Sequence, residues 1–318
     1  MKTVLVTGAA GFIGAWTAQA LRARGDRVIG LDNFNPYYDI RLKRNRVQAL
    51  IPDVPMHEVD IADRKALIRA LGRVKIDQVC HLAAQAGVRY SLTHPFAYET
   101  ANNLGTLNLL ELARERGIRS FVFASSSSVY GANKKIPFSV EDPVDSPVSL
   151  YAATKRANEL TAHVYHHLYG LHCTGLRFFT VYGPWGRPDM ALFSFTKAIL
   201  EGRPIDVFNH GRMKRDFTYI TDIVDGVLHA LDRDYPYEIF NLGNSRPVAL
   251  TRFIGAIESA LGKKAKKRLL PLQPGDVPAT WADIRKSTRL LNFHPATDIE
   301  TGVRRFVDWY RGYFRVRG

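Results

Sequence analysis

Val4-Leu5-Val6-Thr7-Gly8-Ala9-Ala10-Gly11-Phe12-Ile13-Gly14 is the stretch on which the fold turns. Three consecutive apolar residues with no alternating polar face read as a strand buried on both sides. Glycines at 8, 11 and 14 follow at once, and a helical pattern opens at residue 12. Gly8 permits the tight turn, Gly11 lets the backbone approach a pyrophosphate, and Gly14 lets helix and strand pack closely. The free amides at the start of that helix, including those of Phe12 and Ile13, favour phosphate charge. A glycine trio alone says little. Set between a strand and a helix, it is the context of a dinucleotide site.

Working outward, the second apolar run ends in Asp32-Asn33, about twenty residues beyond the loop, where an acid accepts hydrogen bonds from the adenosine ribose and repels a 2′-phosphate. Asp32 therefore argues for NAD over NADP. Strands are expected over 2–6, 27–31, 56–59, 78–82, 120–124 and 173–178, with helices over 12–24, 41–50, 63–72, 95–117 and 150–169. Gly25, Gly117 and Gly170 close three of these helices as C-caps. Repeated strand–helix units imply right-handed crossovers and an open parallel sheet. Asp60-Ile61 and Leu82-Ala83-Ala84 then fall at strand C-termini, where such sheets bind ligands. Beyond Val181 the texture turns irregular and rich in Gly, Pro, aromatics and Arg, with helices expected over 221–231, 251–261 and 299–314 and a strand over 238–242. The fold class is α/β: a Rossmann-type doubly wound parallel sheet with a smaller, interwoven α/β substrate domain. The NAD-binding domain is expected over 1–180 plus about 217–242, and the second over about 181–216 plus 243–318.

A chain of 318 residues, 46% hydrophobic and 23% charged, buries a sizeable core, so disordered and fibrous classes drop out. No apolar run approaches the roughly 18 residues of a membrane span. Met1-Lys2-Thr3 leads directly into the first strand, so no signal peptide is expected and the protein reads as cytoplasmic. Cys80 and Cys173, each in an expected buried strand, are too few for a disulfide framework or a zinc site. The net charge of +14 is scattered, apart from Lys263–Arg268 and a C-terminal set of arginines. The lysine run reads as a solvated turn. The scatter suits a polyanionic substrate better than a nucleic-acid groove, and no nucleic-acid, membrane or metal partner is expected.

Tyr151-Ala152-Ala153-Thr154-Lys155 puts a phenol and an ammonium at i and i+4, on one helix face. A phenol of ordinary pKa, about 10, is a poor base at neutral pH. A neighbouring cation and a positively charged nicotinamide favour the phenolate. A serine from the run 125–128 can hydrogen-bond the reacting sugar oxygen and orient it toward that base. Which of the four serves is left open by their spacing.

TGAAGFIG (7–14), HLAA (81–84), SSSSVYG (125–131), YAATK (151–155) and RDFTYITD (215–222) resemble the extended short-chain dehydrogenase/reductase superfamily over essentially the whole chain. DNFNPYYDIRLKRNR (32–46), HLAAQAGVRYS (81–91), YGPWGRPDMA (182–191), FNHGRMKRDFTYI (208–220) and LQPGDVPATWAD (272–283) are similar to its UDP-glucuronate 4-epimerase branch. The resemblance implies Tyr151 as base and Lys155 as its activator and nicotinamide-ribose ligand, with Ser126, then Ser127, as catalytic serine. It implies Gln85 and Asn102 near the cofactor, and Thr180, Arg187, Phe208, Arg215 and Gln273 along a UDP-sugar. Gln273 departs from the UDP-galactose 4-epimerase pattern, which has arginine there. The implied function is reversible C4 epimerisation of UDP-glucuronate to UDP-galacturonate through a 4-keto intermediate with tightly bound NAD, in a homodimer. A UDP-glucuronate decarboxylase or another nucleotide-sugar epimerase is the same-fold alternative. A noncatalytic NAD(H)-binding regulator is the alternative of another class, and the intact Tyr151, Lys155 and serines count against it.

Overall fold

A computed structural model describes residues 1–272 and 277–316. The first strand, β1 (Thr3–Thr7), is an inner strand of a seven-stranded sheet with β2 (Arg27–Asp32), β3 (Met56–Glu58), β4 (Gln78–His81), β5 (Ser120–Ser126), β6 (His172–Phe178) and a last strand, Tyr237–Leu242. The order across the sheet is 237–242, β6, β5, β4, β1, β2, β3, and every neighbouring pair is parallel. The chain runs from β1 to β2 and β3 on one side, then crosses back to lay β4 against β1. Strand order reverses between β1 and β4, and the loops there part to leave a crevice.

Helices α1 (Phe12–Ala23), α2 (Ile40–Leu50) and α3 (Arg64–Leu71) follow the first three strands. Along β1, Val4 and Val6 join one apolar cluster and Leu5 the other, so the strand is dry on both faces, as its composition requires. Cys80 and Cys173 are buried free thiols, one in each cluster. Gly25, Gly117 and Gly170 take positive φ where helices end.

Three expectations change in detail. The single helix over 95–117 is broken into Pro95–Tyr98, a π-helical turn Glu99–Leu104 and Gly105–Glu115. The wider turn lets the buried Asn102 side chain reach both backbone groups of Gln85 rather than solvent. Strand β5 runs two residues longer than expected, so Ser125 and Ser126 belong to the sheet and Ser127 opens a 3₁₀ turn ending at Tyr130. The lysine run is also not all turn. Lys267–Leu269 pairs with Ile205–Val207, Lys264 and Lys267 meet Glu258, and Arg268 meets Asp206.

The smaller lobe is built from short pieces. Thr180–Tyr182 pairs with Phe217–Tyr219, and Lys214–Arg215 lies between Val248–Ala249 and Ala279–Thr280. Helices Ala191–Leu200 and Arg285–Leu291 stand where the sequence looked irregular, beside the expected Ile220–Asp232, Leu250–Leu261 and Ile299–Phe314. Rings of Phe193, Phe306, Trp309, Tyr310 and Phe314 pack together and give this lobe its core. Among the described residues, no helix is long and apolar enough to cross a membrane.

Candidate active site

The crevice at the switch point is lined by Gly8, Gly11, Phe12, Ile13 and Gly14 from the first loop, and by Asp32, Asn33, Asp60, Ile61, Leu82, Ala83, Ala84 and Gln85 from three other strand ends. Ser126, Tyr151, Lys155 and Arg187 line the same crevice, beside Tyr37, Lys43 and Met190. The glycine loop is folded tightly against its neighbours. Gly8 has φ +69, and a Cβ there would stand 2.7 Å from the Ala83 amide; one at Gly14 would stand 2.0 Å from the Gly8 carbonyl oxygen. Gly11 caps α1 without a side-chain hydrogen bond, so the first amides of that helix are left to face the crevice.

These features fit a dinucleotide. An uncapped helix N-terminus meets a pyrophosphate, and the Asp32 carboxylate stands at the end of β2. Asp32 also shapes the loop: its oxygens accept from the Ala10 amide at 3.1 Å and the Phe34 amide at 2.8 Å, and Lys43 lies 3.5 Å away. Each carboxylate oxygen has a further lone pair for a ribose hydroxyl. Asn33 donates to Asp60 at 2.9 Å, tying the ends of β2 and β3.

Tyr151 and Lys155 lie one turn apart on the helix Leu150–Tyr169, which Ser149 caps. Lys155 is buried and donates from Nζ to the Ala124 carbonyl at 2.9 Å. Burial pushes its pKa down to about 8, against the opposing pull of Glu159. Burial pushes the Tyr151 phenol up, and the Ser126 hydroxyl and the Arg187 charge pull it down. Arg187 thus adds a positive charge acting on the phenol, beside the Lys155 expected from the sequence. Ser125 and Ser126 both line the crevice, but the Ser125 hydroxyl is committed to Glu159 at 2.6 Å, whereas that of Ser126 acts on the Tyr151 phenol. Ser127 does not line the crevice.

The remaining expected residues lie elsewhere. Asn102 is fully buried behind the crevice, accepting from the Gln85 amide at 2.8 Å and donating to the Gln85 carbonyl at 3.1 Å and to Thr154 at 3.0 Å. It holds Gln85 in place. Thr180 sits between the lining residues Phe179 and Val181 without lining the crevice itself. Phe208 begins a 3₁₀ turn, with the Arg89 guanidinium 5.4 Å from its ring centre, and Arg215 is on the short strand beside it in sequence. Gln273 lies outside the described residues.

The model of the NAD dependent epimerase/dehydratase family matches residues 4–243. The chain belongs to that family. UDP-glucuronate 4-epimerase 2 of Arabidopsis thaliana is 50% identical over 336 residues, covering 99% of this chain and 77% of the plant protein. The structure of UDP-glucuronic acid 4-epimerase from Bacillus cereus, in complex with UDP-glucuronic acid and NAD, superposes with a TM-score of 0.89 at 36% identity, covering 98% and 99% of the two chains. The UDP-glucose 4-epimerase of Thermotoga maritima with UDP-glucose gives 0.90 at 30% identity, with the same coverage.

Three residues of this epimerase/dehydratase site were not anticipated. Glu159 lies under Lys155 and binds Arg177 through two hydrogen bonds of 2.8 and 2.9 Å. Its spacing of four from Lys155 on the helix was the available signal. Asp189 accepts from Arg187 Nε at 3.0 Å and from the Tyr37 hydroxyl at 3.2 Å. Arg46 is fully buried, and nothing in its run of basic neighbours sets it apart.

Proposed function

We propose that this protein interconverts UDP-glucuronate and UDP-galacturonate by inverting C4, with NAD retained in the crevice. The observation that carries this reading is the convergence of Tyr151, Ser126, Lys155 and Arg187 on the crevice that the glycine loop also lines. When bound, NAD supplies the hydride acceptor that turns the C4 carbinol into a ketone and the donor that reduces it again on the opposite face. Tyr151 takes the O4 proton and later returns it. Ser126 holds the sugar oxygen toward the phenol. Lys155, charged at neutral pH with a pKa of about 8, binds the nicotinamide ribose and presents a positive field. Gly8 to Gly14 and Asp32 hold the pyrophosphate and the adenosine ribose. The cofactor roles of Asn33, Asp60, Ile61, Leu82, Ala83, Ala84 and Gln85 follow from their places on the crevice wall, and that of Asn102 from its grip on Gln85. The 1–180 region with the 217–242 segment carries the cofactor, and the smaller lobe, with Phe208 and Arg215, grips the nucleotide half of the sugar.

A C4 ketone beside a C5 carboxylate is a β-keto acid, which loses CO₂ when the C5–carboxylate bond stands perpendicular to the carbonyl plane. Arg187 is the crevice cation suited to hold the carboxylate out of that alignment through a bidentate contact. The deciding experiment is incubation of the purified protein with UDP-glucuronate and no added NAD, with products followed by NMR. UDP-galacturonate is expected, and Tyr151→Phe should abolish it. A pentose as the main product, or native turnover by Tyr151→Phe, would overturn the assignment.

The same reading makes the protein a homodimer. Leu160, Val164 and Leu168 form an exposed apolar stripe on the Leu150–Tyr169 helix, and Phe96, Leu104 and Leu107 are exposed on the neighbouring segment. Antiparallel packing of these helices against a second copy covers both stripes. Sedimentation at the monomer mass would refute it.

A further inference from the structure

The segment 32–46 supplies Asp32 and Lys43 to the crevice, and it also fastens the loop that carries Arg187. Arg46 is 0% exposed, and its guanidinium forks between two loops. It donates from Nε at 3.2 Å and Nη2 at 2.7 Å to the Trp185 carbonyl, and from Nη1 to the Ala10 carbonyl at 2.5 Å and the Tyr38 hydroxyl at 3.1 Å. Ala10 belongs to the glycine-rich loop, and Trp185 stands two residues before Arg187. Trp185 has φ +66, a conformation that a bulky residue holds only when its surroundings fix it. Those surroundings are visible: Trp16 Nε1 donates to the Pro184 carbonyl at 3.1 Å, and the Trp185 ring packs on Trp309 and Tyr313. At the loop's other end, Tyr37 of the same segment donates to Asp189, which pairs with Arg187.

We propose that Arg46 is a positioning residue for Arg187. By tying Trp185 to the glycine-rich loop, it sets where the Arg187 guanidinium stands beside Tyr151, and so how a 4-keto uronate partitions between epimer and decarboxylated sugar. This rests on the reading that Arg187 restrains the sugar carboxylate. In the losing branch the hydride has already passed from C4 to NAD. The C5–carboxylate bond then breaks, its electron pair enters the C4 carbonyl as an enolate, CO₂ departs and C5 takes a proton from water. Arg46 touches neither sugar nor cofactor in this account; it acts through the loop alone. Its planar fork is what reaches both carbonyls, and a lysine at the same place offers one point charge that serves only one of them.

The test compares Arg46→Lys, Arg46→Met and Arg187→Ala holoenzymes with the native protein. UDP-galacturonate and pentose products from UDP-glucuronate are quantified by NMR, and amide hydrogen exchange is followed at Gly186 and Met190, whose N–H groups close the loop on Gly183 and Arg187. Arg187→Ala should raise the pentose fraction. Arg46→Lys should raise it in the same direction, with KM changed by less than about threefold, and should speed exchange at the two amides by about fivefold or more. Arg46→Met should do both more strongly; if it does not fold, Arg46→Lys carries the test. Native product ratio and native exchange in a folded Arg46→Lys, with Arg187→Ala shifted, would overturn the proposal. An unchanged ratio in Arg187→Ala defeats the carboxylate reading, and with it the partition claim, while the exchange rates still judge Arg46's hold on the loop.

Discussion

Lys155 Nζ donates to the carbonyl of Ala124 at 2.9 Å, joining the helix turn after Tyr151 to the strand residue two before Ser126. This bond sets the register of helix on sheet at the point where phenol and serine must meet. It also fixes an ammonium in a dry place, where burial depresses its pKa to about 8 and Glu159 partly offsets the effect. The charge survives at neutral pH by a narrow margin.

That margin has a stability consequence. The unfolded lysine titrates near 10.5 and the folded one near 8, so at pH 7 the fold carries a charge that burial disfavours. The cost is fully present below pH 8 and disappears as pH rises toward 10.5, because the unfolded chain then binds more protons. A shift of this size corresponds to about 3 kcal/mol, less about 1 for the lost bond to Ala124. Lys155→Met should therefore be catalytically dead yet more stable than the native protein at pH 7, by roughly 2 kcal/mol in urea unfolding. The gap should close by pH 10. A less stable variant at neutral pH would sink the idea.

His81 gives a pH dependence of the same sign in a more acidic window. Its ring lies between the Thr7 and Thr106 hydroxyls at 2.8 and 2.9 Å, joining the end of β1 to the helix Gly105–Glu115. Burial, helped by the Lys155 charge, pushes its pKa down to about 3. Below pH 6.5 the unfolded chain takes a proton that the folded chain refuses, so stability falls as pH drops from 6.5 toward 3, by about 1.4 kcal/mol per unit. His81→Gln should start less stable at pH 7 but lose about 2 kcal/mol less than the native protein between pH 7 and pH 5. Parallel losses in denaturant titrations at the two pH values would show that His81 does not titrate this way.

The sheet was legible because β1 is apolar on both faces and its loop needs glycine at fixed places; local chemistry and global topology agree there. The crevice residues of that loop, and of the ends of β2, β3 and β4, follow from the same topology. Arg46 and Asp189 were not legible, since their roles depend on a contact between segments remote in sequence, and a basic or acidic side chain carries no mark of its partner. The Arg187 charge at Tyr151 was hidden for a related reason. Spacing along a helix names Lys155, but the charge that Arg187 adds at the phenol comes from a loop remote in sequence. The break at Glu99–Leu104 was hidden because a π turn keeps a helical pattern while adding a residue.

The serine run separates cleanly in the structure. Ser125 and Ser126 both line the crevice, but Ser125 is held by Glu159 while Ser126 acts on the Tyr151 phenol, and Ser127 starts the turn beyond. Ser126→Ala should lower kcat by about 10²-fold, in the range of losing one positioned hydrogen bond in a transition state, with KM little changed. Ser127→Ala should stay within about fivefold of native on that scale. Steady-state rates on UDP-glucuronate decide it, and the reverse ranking would move the role to Ser127.

Asp189 holds the Arg187 guanidinium, the group proposed above to meet the sugar carboxylate. It pairs with Arg187 through Nε at 3.0 Å and is itself held by the Tyr37 hydroxyl, so a bound uronate must share or displace it. Asp189→Asn keeps the shape and the hydrogen bond from Tyr37 but removes the competing charge. Substrate carboxylate then meets an unopposed cation, and KM for UDP-glucuronate should fall by up to about fivefold, the scale of a half-exposed ion pair. The same change leaves more positive field at Tyr151. A phenolate is favoured by that field, so the pKa of the base falls and the acid limb of kcat/KM moves to lower pH. A neutral UDP-hexose has no carboxylate to gain, so its KM should not improve, and this contrast separates the charge effect from a general loosening of the loop. An acid limb displaced upward, or equal gains for charged and neutral sugars, would show that Asp189 does not govern Arg187.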